Sequence, residues 1–126
     1  MKPKSLTFDM HFSKAECYII LNRYKADNTL AIDLVSIDGE PITRLTVCTA
    51  DEYHLMTAIN TPDNISWVDI NNNPTAINFI DEYKLGEPVR INGRIAIFAS
   101  GFCEYPLYKF NLDELRKYTI QDNTNV

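Results

Sequence analysis

Arg90, Arg94 and Lys109 fall within one stretch, RINGRIAIFASGFCEYPLYKF, which runs from Arg90 to Phe110. A guanidinium fork matches the oxygens of a phosphate, bidentately where geometry allows. The same stretch holds Phe98, Phe102, Tyr105 and Tyr108, rings on which a purine can stack for roughly 1–3 kcal/mol per base. Asn92 can both donate and accept, as recognition of a base edge requires, and Ser100-Gly101 lets the backbone come close to a ligand. From Pro88 to Phe110 three cations face one acid, Glu104, so the local balance is +2 in a chain of net charge −5. These residue types describe capture of a small, anionic, ring-bearing ligand. Each also has a purely structural reading. Asn92-Gly93 is a turn pair before it is anything else, and Arg90 and Arg94 suit the outward positions of a hairpin. Phe98 and Phe102 suit a core, while Tyr105 and Tyr108 flank Pro106 and suit a sheet edge or a subunit interface. Both readings stay open at the level of sequence.

Groups for catalysis are harder to find. No GxSxG, phosphate-cradling Gly-rich loop, HExxH or GxGxxG occurs. His11 and His54 lie in different segments, and neither has a partner at metal-ligand spacing. Cys17, Cys48 and Cys103 form no CxxC pattern and sit in apolar or strand-like runs, as reduced, buried thiols do. Asp51-Glu52 and Asp81-Glu82 read as solvated charge at element ends. The expectation is a protein with no catalytic residue, no metal and no cofactor.

The bulk numbers narrow the partners. At 126 residues, 45% hydrophobic and 23% charged, the chain suits one domain with a real core. A net charge of −5 argues against nucleic acid polymers and anionic membranes as partners. No run approaches the roughly 18–20 apolar residues of a membrane span, and Asp9 and His11 sit where a signal peptide needs an apolar core. The expected location is the cytoplasm.

The elements that must position these side chains read as an α+β domain over 1–118, with a polar, frayed tail over 119–126. Leu6 to Phe12 alternates as a strand, Ser13 to Glu16 suits a turn, and Cys17 to Tyr24 and Leu30 to Ile37 follow as strands. Asp38-Gly39 predicts a type I′ hairpin turn, and Ile42 to Cys48 completes a four-strand antiparallel meander. Thr49 to Asn64 suits a short helix or a loop, and Ile65 to Ile70 a strand. Asn73 and Pro74 predict a helix N-cap and first residue, with an apolar face through Phe79 and Tyr83 and a stop at Gly86. Asn92-Gly93 predicts a second hairpin. Pro106 places its strand at an edge or a bulge, and Asn111 with Glu114 opens a short helix over Leu112 to Tyr118. The sum is an antiparallel sheet of about six to eight strands with two main helices.

In the segments NRYKADNTLAIDLV, GEPITRLTV and SGFCEYPLYKF, which span most of Asn22 to Phe110, the chain is similar to a family of small phage and mobile-element proteins. Within that neighbourhood it resembles the first Thoeris anti-defence family. The resemblance implies a phage-encoded sponge in the cytoplasm of an infected bacterial host. Such a sponge binds, without degrading it, the cyclic ADP-ribose isomer made by a bacterial TIR enzyme. The family is also associated with capture of cyclic oligonucleotides and with dimers that assemble into hexamers, so the resemblance implies a homo-oligomer. It further implies ligand pockets between subunits, built from the last hairpin and the helix beginning at Pro74. On that implication Asn92, Arg94 and Arg90 contact polar atoms, and Phe79 or Tyr83 stacks. Ser100 permits close approach, and Tyr105, Tyr108 and Lys109 line the wall or the interface. Two other classes compete. The net charge of −5 and pI near 4.9 suit an acidic protein–protein inhibitor or DNA mimic, and an enzyme could cleave the same ligand.

Overall fold

The computed structural model describes residues 3–10, 12–25, 28–48 and 64–124. His11, and the helix-or-loop question over 49–63 with Tyr53, His54 and Met56, lie outside the described residues. Among the described residues twelve short strands and two helices make an α+β fold.

The meander is present. Strands β1 (Leu6–Asp9), β2 (Lys14–Arg23), β3 (Leu30–Ser36) and β4 (Pro41–Arg44) lie side by side in chain order. In β1 the buried Leu6 and Phe8 alternate with the exposed Thr7 and Asp9. It is shorter than the alternation to Phe12 predicts, and β2 begins inside the expected turn, because Asp9 pairs with Lys14. The turn after β3 also differs. Its positive φ falls on Gly39 alone (92°), so Asp38-Gly39 is not a I′ pair. The Ser36 hydroxyl instead accepts from the backbone N–H of Asp38 and Glu40, which closes a longer loop.

Ile42 to Cys48 is not one strand. At the buried Leu45 the chain passes between two sheets. The Leu45 N–H donates to Ile32 of β3, and its carbonyl accepts from Asp69 beyond the next sheet's β6 (Ile65–Val68). Past that point β5 (Thr46–Val47) pairs with β6. The second sheet continues through β11 (Cys103–Phe110) to β10 (Ile97–Ser100), with β7 (Gly86–Pro88) also on β11. Side chains stitch the two sheets together: the Ser66 hydroxyl donates to the Leu30 carbonyl, and the Thr46 hydroxyl accepts from Ile32 N–H. A strand that must serve two sheets has to break, and the β-alternation of its sequence is blind to which sheet each half joins.

Pro106 does not place its strand at an edge or a bulge: β11 is an interior strand, with β10 on one side and β6 on the other, and its register with β10 runs through Pro106 without a shift. Leu107 N–H bonds to Ala96, so by the two-residue period the Pro106 nitrogen faces the other side of β11. There β6 pairs only from Leu107 onward. The missing N–H therefore costs no ladder bond.

Helix α1 (Ala76–Glu82) buries Ala76, Phe79 and Ile80, as its spacing predicts, but Asn73 is not its cap. The buried Asn73 amide accepts from the Thr43 hydroxyl and donates to the Arg44 carbonyl, so it ties the approach of α1 to β4. Nor does Gly86 end the helix. Lys84 takes the left-handed position, φ 56°, while Leu85 N–H bonds to Ile80 and Lys84 N–H to Asp81, the pattern of a Schellman stop. Gly86 has a different task. A Cβ there would lie 2.7 Å from the Lys109 carbonyl, so its bare backbone lets β7 close on β11. Helix α2 (Leu112–Arg116) starts as predicted, with the Asn111 side chain accepting from Glu114 N–H.

The described part of the tail expected to fray, 119–124, is attached to the first sheet. Thr119–Asp122 forms β12, parallel to β2 along Ile19 to Leu21, beyond the part of β2 that β1 covers. Asn123 extends the attachment through its N–H to Leu21 and its amide to Asn22. Arg116 holds Asp122 at 2.8 Å. The polar composition that suggested fraying is the exposed side of an edge strand.

The main core lies between the two sheets and α1, with Leu6, Ile19, Leu21, Ile32, Leu45, Ile80 and Phe110 among its members. A smaller cluster of Ile65, Trp67, Ala96 and Leu107 lies on the other face of the second sheet, with Val47, Val89, Phe98 and Tyr105 packed on it. No helix among the described residues is long and apolar enough to cross a membrane.

Candidate functional site

Asn92-Gly93 forms the tip of a two-stranded ribbon of its own, β8 (Arg90–Ile91) against β9 (Arg94–Ile95). Both tip residues have positive φ, 53° and 81°, as a type I′ turn requires. All six residues are exposed. The register pairs Arg90 with Ile95 and Ile91 with Arg94, and directly opposed residues share a face. The two arginines therefore emerge from opposite faces of the ribbon, each beside an isoleucine. They can flank a ligand at the tip or serve separate contacts, but they do not form one fork. Arg90 also donates to the Gly93 carbonyl, at 3.4 Å.

The predicted rings are dispersed. Phe79 is buried, edge-on to Phe8 at 5.1 Å and to Tyr83 at 5.3 Å. Tyr83 is half-buried against Tyr118, and its hydroxyl accepts from Thr7 N–H. Both belong to the junction of α1 with the first sheet rather than to the ribbon. Tyr108 is buried in the main core beside Phe110. Burial pushes its phenol up, Asp81 adds to the shift and Arg90 opposes it. Tyr105 stacks on Phe98, with ring centres 6.3 Å apart, in the smaller cluster around Trp67. Phe102, expected in the core, stands fully in solvent at the β10–β11 turn. The Ser100 side chain lies outside the described residues, while its backbone pairs with Cys103 to close that turn.

Lys109 lies elsewhere, on the wall of a groove of about 740 Å³ where the end of α1, β7, the end of β11 and α2 meet. Lys84, Asp81, Glu87, Asp113 and Arg116 line the same groove, with the amides of Asn64 and Asn111. Sequence reasoning missed this site because each contributor had a sufficient local role. Lys84 suited a helix end, Gly86 a stop and Asn111 a cap, and only tertiary contact brings them to one place. Two further grooves, of about 500 and 220 Å³, flank Asp9 and Thr75. The larger exposes part of the Phe79–Tyr83 pair. Among the described residues no cluster of His, Cys, Asp or Glu is placed to hold a metal ion.

Compared with known proteins, residues 18–126 match the model of a family described as a domain of unknown function (DUF4313). No curated protein and no solved structure matches the chain.

Proposed function

The chain belongs to the DUF4313 family, and we propose that it works by binding, as a sponge that takes up a small anionic nucleotide and keeps it intact. The ligand is a cyclic ADP-ribose isomer of the kind made by bacterial immune enzymes, and the site of action is the cytoplasm of an infected bacterial host. One observation carries the reading. The I′ turn at Asn92-Gly93 leaves an amide at the tip of an exposed ribbon, with one guanidinium group on each of the ribbon's two faces. Nothing in the packing of the core requires polar groups of this kind there, and their chemistry suits a pyrophosphate and a base edge. Phe102, fully exposed on the β10–β11 turn, has a free ring face for stacking, whereas Phe79 is buried in the core. A second copy would supply the remaining walls, in a homo-oligomer.

Calorimetry against a cyclic ADP-ribose isomer, followed by heat release and chromatography of the ligand, tests the proposal. Saturable binding with intact ligand recovered is expected. Conversion of the ligand would replace the sponge with an enzyme, and the absence of heat across a panel of cyclic nucleotides would end the reading. Asn92→Gly separates the two roles of that residue, because glycine keeps the positive φ but removes the amide. Affinity unchanged in Asn92→Gly would make Asn92 a turn residue only.

A different observation favours a second reading. Ile91, Ile95, Ile97 and Phe102 are all exposed on the C-terminal hairpins, and exposed apolar side chains suit a protein partner. An acidic inhibitor that docks a basic protein would be recovered with that protein and would lose it at high salt.

A further inference from the structure

The groove between the ends of α1 and α2 carries one acid and one base on each of its three walls. Asp81 and Lys84 stand three residues apart at the end of α1, Glu87 faces Lys109 directly across the β7–β11 pair, and Asp113 and Arg116 stand three residues apart on α2. Glu87–Lys109 and Asp113–Arg116 stand at spacings that bring Cβ atoms within about 5–6 Å, and Lys84 sits just past the end of α1 in the left-handed position, so each pair could close in solvent. None of the three pairs does. The ion pairs among the described residues are Arg44–Asp33, Arg116–Asp122 and Lys117–Glu114. Arg116 has thus turned away to the tail strand, which leaves Lys84, Lys109 and three carboxylates on the groove without an ion pair.

We infer that this groove is a binding site for a small dipolar ligand, one that carries an ammonium and a carboxylate, such as a short peptide or an amino-acid derivative. Unpaired charges of both signs on one groove point to the class. A purely anionic ligand would meet three carboxylates against two unpaired ammonium groups, and a purely cationic one would meet those ammonium groups. A dipolar ligand finds an opposite charge for each of its ends. The cyclic nucleotide assigned to the hairpin tip carries only negative charge at its phosphates and belongs there rather than here. The volume, about 740 Å³, lies within the range of small-molecule sites. The backbone holds the shape of the groove. Lys84 stays in a left-handed conformation that most side chains avoid, and Gly86 lets β7 press against the Lys109 carbonyl to form the floor. The hairpin ribbon takes no part, so this site stands or falls separately from the nucleotide reading.

The test is a titration of the full chain, followed by backbone amide NMR near neutral pH, with three probes: trialanine, N-acetyl-trialanine and trialanine amide. Trialanine should move the amides of Lys84, Glu87 and Lys109 saturably, and each capped form should bind at least about tenfold more weakly. Lys109→Gln and Glu87→Gln should each weaken trialanine several-fold while the other amide positions stay in place, and Arg94→Ala should leave it unchanged. An absence of saturable shifts up to about 20 mM trialanine, or equal binding of the acetylated acid, would overturn the inference.

Discussion

Lys84 and Gly86 exchange the roles that their types suggest. The lysine takes the left-handed stop of α1 at φ 56°, and the glycine takes a close approach with no positive φ. A side chain in the left-handed region costs on the order of 1 kcal/mol that glycine avoids. Lys84→Gly should therefore raise stability by about 1 kcal/mol, read as a higher urea midpoint at unchanged slope. Gly86→Ala should lower it by on the order of 2 kcal/mol, because the Cβ would meet a backbone carbonyl that has no room to move. Equal and small effects of the two changes would show that the roles are not exchanged. Cys17 supplies a pH signature. It is fully buried, and burial pushes its thiol up from 9.0 to about 11. The folded state then holds a proton that the unfolded state releases, so the contribution is complete below pH 9 and is lost as pH rises toward 11. Unfolding free energy should fall over that interval by on the order of 2 kcal/mol. In Cys17→Ala the same interval should be flatter, as followed by urea unfolding at each pH.

At the scale of elements, what the sequence makes legible is what local chemistry decides. The β1–β4 meander, the I′ turn at Asn92-Gly93, the Asn111 cap and the apolar face of α1 follow from periods and turn residues that act within a few positions. Three of the misreadings share one cause, which is distance along the chain, whereas the Asp38-Gly39 turn and the Lys84 stop differ from expectation through contacts within five residues. Asn73 has the composition of a cap but spends its amide on Thr43 and Arg44. Leu45 divides a run whose alternation is continuous. Thr119–Asp122 becomes a strand only because β2 offers an unfilled edge about a hundred residues earlier. The candidate site follows the same rule. The ribbon tip was legible, and so was Phe79 on the apolar face of α1, whereas the placing of Lys109 in a groove depends on contacts that no window contains. The tail supplies a direct check. A chain that ends at Tyr118 should melt several degrees lower, because it uncovers the backbone of Ile19 to Leu21 and releases the Arg116–Asp122 pair. A frayed tail could be removed without change.

For the whole molecule, the charge distribution determines which anions can approach. Arg90 and Arg94 are two cations on an exposed ribbon, and the net charge is −5, so the remainder of the chain carries −7. A small nucleotide at the tip feels the near arginines and the far carboxylates differently as salt changes, because the screening length falls from about 30 Å at 0.01 M to about 8 Å at 0.15 M. Added salt removes the distant repulsion first and the close attraction later. The affinity of a dianionic nucleotide should therefore change by less than about threefold over that interval, where two arginines acting alone would give a steady loss. A polyanion cannot confine itself to the tip, since each added phosphate lies closer to the acidic body. A fluorescent duplex of about 20 base pairs should show no saturable anisotropy change at 0.15 M salt. Tight duplex binding with a steep salt slope would mean that the basic surface extends well beyond the ribbon, and the assignment of a small ligand to its tip would fail with it.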